Sequence, residues 1–324
     1  MLSVAMCTYN GEEYLDQQLN SILNQSESVD EIIICDDKST DTTIKIIQSF
    51  QKQLPDIIKL HINKASLGPI KNFEKAISLC TGEIVFLSDQ DDVWAKDKVK
   101  KIVRKFQDDP GLEAVFTDAN LIDQHGMLLG KTLFENLDFN LHSQKEWSTG
   151  KAFIEILYYR NKITGATMAF KKSLFEKVVP FLILKNFWHD AQLGLHAALE
   201  NKLDWINEPL IEYRIHDKQQ VGLGNGTTLL TTEKISSRDF LTQNRLFPSS
   251  IILIIESLLT KYPKLDKENL EKEALSQIQW LDLRLQLPKN IFSRTYIILN
   301  NISAYKKHSN SLLKSIIKDI INLY

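Results

Sequence analysis

Short apolar runs alternate with amphipathic segments over the first part of this chain, and this alternation constrains its fold more than any other feature. Runs of strand length lie at residues 2–9, 32–35, 57–62, 84–87 and 113–118. Segments whose apolar residues recur at helical spacing separate them at 14–23, 41–53, 69–79 and 96–107. Strands that alternate with helices of this length predict an α/β fold, in which a mostly parallel sheet carries helices on both faces.

Three of these predicted strands end in polar residues, which are out of keeping with the apolar runs before them. The three segments are residues 8–10, 36–39 and 89–92. In open parallel sheets, ligands bind outside the carboxyl ends of the strands. We therefore expect the three segments to open onto one crevice.

The third of these segments holds three carboxylates within four residues. Asp89, Asp91 and Asp92 directly follow the apolar run at 84–87. Hard oxygen ligands at such a place suit Mg²⁺ or Mn²⁺, which take the rest of their shell from water and substrate phosphates. An ordinary solvated acidic turn is the alternative, and Asp36 and Asp37 could likewise serve only to cap the helix that follows them.

Beyond residue 118 the pattern is looser. Residues 164–170 predict a further strand, a helix opens at 188–190, and residues 210–215 predict an extended segment. From about residue 233 onward the pattern is helical only, and three glycines cluster between 222 and 226 just before it. The change of pattern indicates a domain boundary near 225–235.

Composition excludes several classes of protein. The net charge of −2 does not suit a nucleic acid partner, which usually meets a strongly basic face. Cys7, Cys35 and Cys80 lack metal-ligand spacing and no secretory leader precedes the first strand, so we expect reduced cysteines in a cytoplasmic protein. The most apolar window, at 247–259, is shorter than the about 20 residues that cross a bilayer.

Five short motifs carry a resemblance to a known family. They are Cys-Thr-Tyr-Asn-Gly at 7–11, Ser-Ile-Leu-Asn-Gln at 21–25, Ile-Cys-Asp-Asp-Lys-Ser-Thr-Asp at 34–41, Thr-Gly-Glu-Ile at 81–84 and Ser-Asp-Gln-Asp-Asp-Val-Trp at 88–94. In this order, they make about residues 1–220 resemble glycosyltransferase family 2, the nucleotide-sugar-dependent enzymes of the GT-A fold. The sequences at 89–94, 163–170 and 213–216, with the His-Asp pair at 189–190, resemble those of the rhamnosyltransferase-like branch, which builds bacterial surface polysaccharides.

The resemblance implies a pocket for a pyrimidine base. Thr8 and Tyr9 would line it, with the tyrosine ring packed against the pyrimidine. Asp37 would accept the hydrogen of the pyrimidine ring nitrogen, with Asp36 as the alternative, and Asn72 would help to position the nucleotide. Because uracil and thymine present such a donor, the implied donor substrate is a dTDP- or UDP-sugar.

The resemblance also implies the groups that act on the sugar. Asp89 would meet the ribose, and Asp91 would hold the Mn²⁺ or Mg²⁺ that bridges the diphosphate, with His216 as a further metal ligand. Asp190 stands where the family has its catalytic acid residue, and would take the proton from the acceptor hydroxyl. One base without a second nucleophile implies inversion at the anomeric carbon.

Several side chains have a second interpretation. His189 could orient Asp190, bind the acceptor or pack against its neighbours, and His216 could be an ordinary surface histidine. Arg214 could counter phosphate charge or form a structural salt bridge. Trp147 and Trp205 could belong to the core or form platforms for acceptor sugars.

The implied function is an inverting, metal-dependent glycosyltransferase that extends a bacterial surface glycan or a lipid-linked oligosaccharide, with rhamnose as the sugar favoured by the branch. A nucleotidyltransferase is one rival, but it needs a glycine-rich basic loop where this chain has Thr-Tyr-Asn-Gly-Glu-Glu at 8–13. A binding module without transfer activity is the other, and it would leave the acids at 89–92 and 190 without a role.

We expect two domains, a GT-A domain over 1–230 with a nucleotide half (1–118) and an acceptor half (119–230), and a helical extension over 231–324. Residues 261–324 hold 11 Lys/Arg against 6 Asp/Glu, a net charge of +5. A helix over 311–324 would place six apolar residues on one stripe, which must cover something. We expect it to pack on its own protein or on a twin subunit, or to contact an anionic membrane at the inner face of the cell membrane. The stripe consists of Leu312, Leu313, Ile316, Ile317, Ile320 and Ile321.

Overall fold

The structure is a computed structural model that describes residues 1–158, 161–219, 248–288, 290–308, 316 and 319–320. The chain forms two compact units. The first contains residues 1–157, 161–183 and 187–219. The second contains residue 158, residues 184–186 and the described residues from 248 onward. The boundary expected near 225–235 and the glycines at 222–226 lie outside the described residues.

The predicted alternation of strands and helices is present in the first unit. Its first four strands are β1 (Leu2–Thr8), β2 (Glu31–Asp36), β3 (Ile58–Ile62) and β4 (Ile84–Ser88). The helices after β1, β2 and β3 are α1 (Leu15–Leu23), α2 (Thr43–Gln53) and α3 (Gly68–Leu79). The two-residue strand β5 (Val93–Trp94) and helix α4 (Lys98–Asp108) follow β4. All six residues of β2 are buried, as a strand in the interior of a covered sheet requires.

As far as the structure describes it, the rest of the first unit adds four strands and five α-helices. The strands are β6 (Ala114–Ile122), β7 (Leu128–Thr132), β8 (Ala169–Lys171) and β9 (Leu203–Arg214). The α-helices are α5 (Leu133–Asn136), α6 (Leu141–Glu146), α7 (Ala152–Tyr158), α8 (Lys172–Val178) and α9 (His189–Leu199), and the last residue of α7 belongs to the second unit.

Within the described residues, nine strands form one sheet in the order β3-β2-β1-β4-β8-β6-β9-β5, with β7 paired to β6. The pairs among β3, β2, β1 and β4 and the pair β6–β9 are parallel. β8, β5 and β7 pair antiparallel to their neighbours. The α/β prediction is confirmed, and the register brings the carboxyl ends of β1, β2 and β4 to the same edge.

The strand predicted over 164–170 is wrong for most of its length. Residues Gly165–Thr167 form a 3-10 turn, and only Ala169–Lys171 is a strand. The Thr167 hydroxyl donates to the Thr164 carbonyl at 2.8 Å, which closes the turn. A Cβ added to Gly165 would lie 3.1 Å from Nε2 of His189, so the turn also packs closely against α9. The contact with α9 is invisible in the local pattern.

The two tryptophans with a second interpretation lie in an aromatic cluster. Trp147 is 3% exposed and donates from its indole nitrogen to Glu155 at 2.9 Å. The Trp205 ring lies 5.2 Å from the Phe139 ring and 6.3 Å from the Phe116 ring. Their surroundings favour the interpretation as core residues.

The second unit is helical, as the sequence predicts. Its described helices are α10 (Pro248–Lys261), α11 (Lys267–Leu285), α12 (Ile291–Asn300) and α13 (Ile302–His308). Ile316 and Ile320 pack against the small core of Leu287, Ile298 and Tyr305. Two members of the predicted apolar stripe thus pack on their own unit; the other four, Leu312, Leu313, Ile317 and Ile321, lie outside the described residues.

A buried ion pair holds the end of the chain to this unit. Both carboxylate oxygens of Asp319 accept from the guanidinium of Arg284 at 2.6 Å, and the Tyr305 hydroxyl donates to Asp319 at 2.5 Å.

Among the helices that the structure describes, none combines the length and the apolar character that crossing a membrane requires.

Candidate active site

The three polar strand ends meet, and hydrogen bonds between them hold the edge together. The backbone nitrogen of Tyr9 donates to the Gln90 side chain at 2.8 Å, and Gln90 donates back to the Tyr9 carbonyl at 3.1 Å. The backbone nitrogen of Asp37 donates to the Thr8 carbonyl at 2.8 Å. The segments at 8–10, 36–39 and 89–92 therefore form one continuous surface, as expected from the sheet topology.

Thr8 and Tyr9 point in different directions. The Thr8 hydroxyl is 2% exposed and donates to Asp36 at 2.8 Å, so it is turned into the protein. The Tyr9 side chain is 39% exposed. Tyr9 therefore keeps part of its side chain exposed at this edge, whereas the Thr8 hydroxyl is bonded to Asp36.

Asp36 is committed to its own loop. It is fully buried and accepts from the Ser39 backbone nitrogen at 2.8 Å and from the Ser39 hydroxyl at 2.6 Å, in addition to Thr8. These bonds fix the turn after β2 from inside, so Asp36 shapes the surface without facing it.

The Asp37 carboxylate accepts four hydrogen bonds from the loop before α3 and the start of that helix. It accepts from the Asn63 amide at 2.8 Å, the Ser66 hydroxyl at 2.7 Å, and the backbone nitrogens of Leu67 at 2.7 Å and Gly68 at 3.0 Å. A carboxylate has about four acceptor positions, and all are used. Burial raises the pKa of Asp37, but hydrogen bonds from Leu67, Ser66 and Asn63 outweigh it, so the pKa is lowered overall.

Asn72 supports this set of hydrogen bonds indirectly. It is 2% exposed, accepts from the Asn63 amide at 2.8 Å and donates to the Cys35 carbonyl at 2.8 Å. Asn72 therefore orients Asn63, which in turn donates to Asp37, and its own amide has no face toward a ligand.

The acidic turn at 89–92 is held by the end of β9. Nε2 of His216 lies 2.8 Å from Oδ2 of Asp91. Arg214 donates from its backbone nitrogen to Asp92 at 3.0 Å, from Nε to the Asp91 carbonyl at 2.8 Å and from Nη2 to Gln17 at 2.8 Å. These contacts favour the structural interpretation of Arg214, because its guanidinium holds the turn in place.

The carboxylates of the turn repel one another. Desolvation, followed by the charges of Asp91 and Asp190, raises the pKa of Asp89 to about 7. Burial, followed by the charges of Asp91 and Asp89, also raises the pKa of Asp92 well above its ordinary value. Within the described part of the chain, Oδ2 of Asp92 is buried without a hydrogen-bond partner. A cation bound at this turn would favour the ionised form of these carboxylates.

Asp190 reaches this turn from α9. It lies in the first turn of that helix, is 9% exposed, and accepts from the Ala191 backbone nitrogen at 2.6 Å. Burial raises its pKa to about 6, although backbone N–H groups, including that of Gly165, act in the other direction. Asp190 therefore has the environment of a general base, because it is partly desolvated and ionised at neutral pH.

His189 packs instead of assisting Asp190. Its ring stacks on Phe73 with 4.1 Å between the centroids, and burial lowers its pKa to about 3. Neither ring nitrogen has a hydrogen-bond partner among the residues described here. His189 is therefore neutral, and its contacts favour the packing interpretation.

Comparison with known proteins bears on the family of this chain. Residues 3–177 match the family model described as glycosyl transferase family 2. The dTDP-rhamnosyl transferase RfbG of Shigella flexneri is 31% identical over 229 residues, which cover 67% of this chain and 73% of that protein. The chain belongs to glycosyltransferase family 2.

Two further proteins extend the comparison of this family 2 glycosyltransferase. A protein of Nostoc sp. described as an uncharacterized glycosyltransferase is 31% identical over 223 residues, 66% of this chain and 65% of its own length. The crystal structure of S. aureus TarS residues 1–349 in complex with UDP-GlcNAc has a TM-score of 0.55 at 18% identity, covering 99% of this chain and 89% of that one. The relatives from Shigella flexneri and Nostoc sp. confirm the predicted enzyme class, and the TarS structure confirms the GT-A fold.

The sequence interpretation of this family 2 glycosyltransferase missed two residues. Gln90, the middle residue of the Asp-Gln-Asp motif, joins β4 to β1 through the Tyr9 backbone. Lys98 is completely buried, and its Nζ lies 4.0 Å from the centroid of the Trp94 ring, in the strand after the acidic turn. A signal existed for Lys98, since it lies four residues before Ile102 and shares the buried face of α4. No comparable signal existed for Gln90, because its partner is distant in the sequence.

The donor atoms of the site fit a divalent cation with few protein ligands. Asp91 and His216 contribute one carboxylate and one imidazole, and Nδ1 of His216 is a buried atom without a partner in the described residues. No group of three or more His, Cys, Asp or Glu side chains forms a metal shell in the same part of the chain. This arrangement suits Mg²⁺ or Mn²⁺, which bind through one or two carboxylates and complete their shell with substrate phosphates.

Replacing Gln90 by alanine is expected to raise the KM for the donor about tenfold with little change in kcat. The substitution removes two hydrogen bonds that set the Tyr9 backbone, and each neutral hydrogen bond contributes about 0.5 to 1.5 kcal/mol. Steady-state kinetics measures this effect. Gly11→Ala should act in the same direction, since its Cβ would overlap the Gln90 amide.

Gln53→Ala is the matched control for this prediction. Gln53 lies at the exposed end of α2 and bonds only locally to the Ser49 carbonyl at 3.3 Å. A wild-type donor KM in Gln90→Ala would show that the bridge to Tyr9 does not shape the donor site.

Proposed function

We propose that this chain is an inverting, metal-dependent glycosyltransferase that moves a sugar from a dTDP- or UDP-sugar to a growing bacterial surface glycan. One observation carries the proposal. Asp190, buried at the start of α9, lies close enough to the turn after β4 for its charge to raise the pKa of Asp89, which supports a base at the edge where the three strand ends meet.

The donor nucleotide would bind along the ends of β1 and β2. The exposed ring of Tyr9 would pack on the pyrimidine. Asp37 can accept the hydrogen of the pyrimidine ring nitrogen only when one of its four donors turns away, and the Ser66 hydroxyl is the one that rotates freely. Thr8 and Asn72 would support this pocket through Asp36 and Asn63.

The diphosphate would lie over the acidic turn. Asp89 would meet the ribose, and Asp91 with His216 would hold Mn²⁺ or Mg²⁺. A divalent cation stabilises the charge that grows on the departing diphosphate. His216 either binds this cation or orients Asp91 through their 2.8 Å contact, and a histidine bonded to a ligating carboxylate is a familiar supporting group.

The acceptor hydroxyl would lose its proton to Asp190. Oδ1 of Asp190 accepts from the backbone of Ala191, which fixes the orientation of the carboxylate. Such assistance by a positioned base contributes about 10² to 10⁴ in rate. A single base on the acceptor side leads to direct displacement, and therefore to inversion at the anomeric carbon.

The names of the similar proteins support the choice of donor. RfbG of Shigella flexneri is described as a dTDP-rhamnosyl transferase, which favours dTDP-rhamnose, whereas the TarS structure holds UDP-GlcNAc. Both nucleotides carry the pyrimidine donor that Asp37 would meet. An oligosaccharide or lipid-linked acceptor, contact with the inner face of the cell membrane and a homodimer through the C-terminal helices stay predictions.

A panel of sugar nucleotides tests the proposal. We expect donor hydrolysis or transfer with a dTDP- or UDP-sugar in the presence of Mn²⁺, and metal-dependent binding of UDP or dTDP in calorimetry. Binding of a nucleoside diphosphate without turnover of any sugar nucleotide would favour a binding module. Formation of a sugar nucleotide from a nucleoside triphosphate and a sugar phosphate would favour a nucleotidyltransferase.

A further inference from the structure

Lys98 is a buried cation between two turns of the site. It is the first residue of α4, and its side chain is 0% exposed. Its Nζ donates to the Ala166 carbonyl at 2.7 Å and lies 4.0 Å from the centroid of the Trp94 ring. Because the side chain is fully buried, Lys98 cannot contribute its charge to the protein surface.

The position is unfavourable for a positive charge unless something compensates it. Burial of an ammonium is costly, and the first turn of a helix carries a partial positive charge of its own. Burial outweighs the charges of Asp92 and Asp89, which act to raise the pKa of Lys98, so this pKa is lowered to about 7. The compensation therefore comes from the acidic turn after β4.

The hydrogen bond of Lys98, however, is with a different turn. Ala166 lies in the Gly165–Thr167 turn, the one that replaces the predicted strand. The preceding residue, Gly165, directs its backbone N–H to Asp190 and packs against His189. Lys98 thus stands between the turn proposed to bind the donor and the turn on which the proposed base rests.

We propose that Lys98 is a positioning residue for the transfer step, which holds the Gly165–Thr167 turn, and with it Asp190, in register with the acidic turn. This inference rests on the proposed function for its kinetic consequence, but its structural part is independent of it. The ammonium lies against the Trp94 ring, in the strand that follows the acidic turn, and the bond to Ala166 transmits that position to Gly165.

Lys98→Met tests the inference, since methionine fills a similar volume without the charge or the donor. We expect kcat for transfer to fall about 100-fold, because a misplacement of about 1 Å at a reacting group has an effect of that size. Affinity for UDP with Mn²⁺ should change much less than kcat, since the contacts of Lys98 are with the Ala166 carbonyl and the Trp94 ring. A purely structural role would lower Tm and leave kcat per folded molecule unchanged.

Amide hydrogen exchange gives a reading that does not depend on activity. In folded Lys98→Met, a peptide covering 164–168 should exchange about tenfold faster than in the wild type, because one charge-assisted hydrogen bond is lost. A peptide covering β1 should be unaffected. Unchanged exchange at 164–168 would overturn the inference even if the protein proved not to be a transferase.

Lys101→Met is the matched control, because Lys101 lies on the same helix, is 38% exposed and pairs with Glu208 at the surface. It should match the wild type in both readings. Lys98→Gln, which keeps an N–H donor without the charge, replaces the methionine variant if the latter fails to fold. A wild type without turnover on any sugar nucleotide would refute the proposed function alone, and the exchange measurement would still decide the role of Lys98.

Discussion

Replacing Asp190 by asparagine is expected to lower the rate of sugar transfer by about 10² to 10⁴ and to leave nucleotide affinity unchanged. The amide keeps the shape of the side chain and can still accept from the Ala191 backbone at the position of Oδ1. It cannot take a proton from the acceptor hydroxyl. Single-turnover transfer and calorimetry with UDP or dTDP separate the two effects.

The pH dependence gives a second test of Asp190. Burial raises its pKa to about 6, and a base works only in its ionised form. The wild-type rate should therefore rise with pH through about 6 and level off above it, and this rise should disappear in Asp190→Asn. Above about pH 6, Asp190→Asn should be at least as stable to heat as the wild type. A buried carboxylate with a raised pKa disfavours the folded state when it is ionised, and the amide is not ionised.

Asp108→Asn is the control for this prediction. Asp108 ends α4, is 68% exposed and forms a surface pair with Arg104. Full transfer activity in Asp190→Asn would remove the assignment of the base, and a loss of nucleotide affinity equal to the loss in rate would assign Asp190 to donor binding.

Replacing Asp91 by alanine is expected to weaken metal-dependent binding of the nucleoside diphosphate by about 100-fold or more. Loss of a group that merely supports a metal ligand already costs 10- to 100-fold in metal affinity, and Asp91 is proposed as the ligand itself. The substitution also leaves His216 without the carboxylate that it contacts at 2.8 Å. Calorimetry with UDP or dTDP, at several Mn²⁺ concentrations, measures the effect.

Removal of the metal provides the matching experiment on the unmodified protein. Chelation by EDTA should weaken nucleotide binding of the wild type to the level of Asp91→Ala, and should have little further effect on the variant. Glu13→Gln controls for the loss of one negative charge, since Glu13 is 51% exposed and pairs with Lys218. Equal nucleotide affinity with and without Mn²⁺ in the wild type would refute the metal site.

The order of strands and helices was predictable because it depends on local periodicity. Alternating runs located β1 to β4 and the helices between them, and the helical pattern beyond residue 233 indicated the second unit. The prediction failed where a contact between distant segments decided the backbone. The Gly165–Thr167 turn is apolar enough for a strand, yet its backbone is shaped by the side chains of α9 and the ammonium of Lys98.

The residue types of the candidate site were also predictable, but the direction of each side chain was not. Thr8 and Asn72 come from recognisable motifs, and both turn inward to bond Asp36 and Asn63. Gln90, at the variable position of its motif, proved to bridge two strands. A side chain turns toward whichever partner the folded chain brings near, and these partners lie 9 to 81 residues away.

The amino-acid sequence by itself determined the α/β architecture, the edge of the sheet where the site lies and the acids available there. Period and spacing are properties of neighbouring residues, which is why they can be interpreted without coordinates. The tertiary structure alone decided which carboxylates are occupied and which are free to act. Asp37 is saturated by donors from the loop before α3, whereas Asp190 is left desolvated beside the acidic turn, because hydrogen-bond partners and burial depend on segments that meet only in the folded chain.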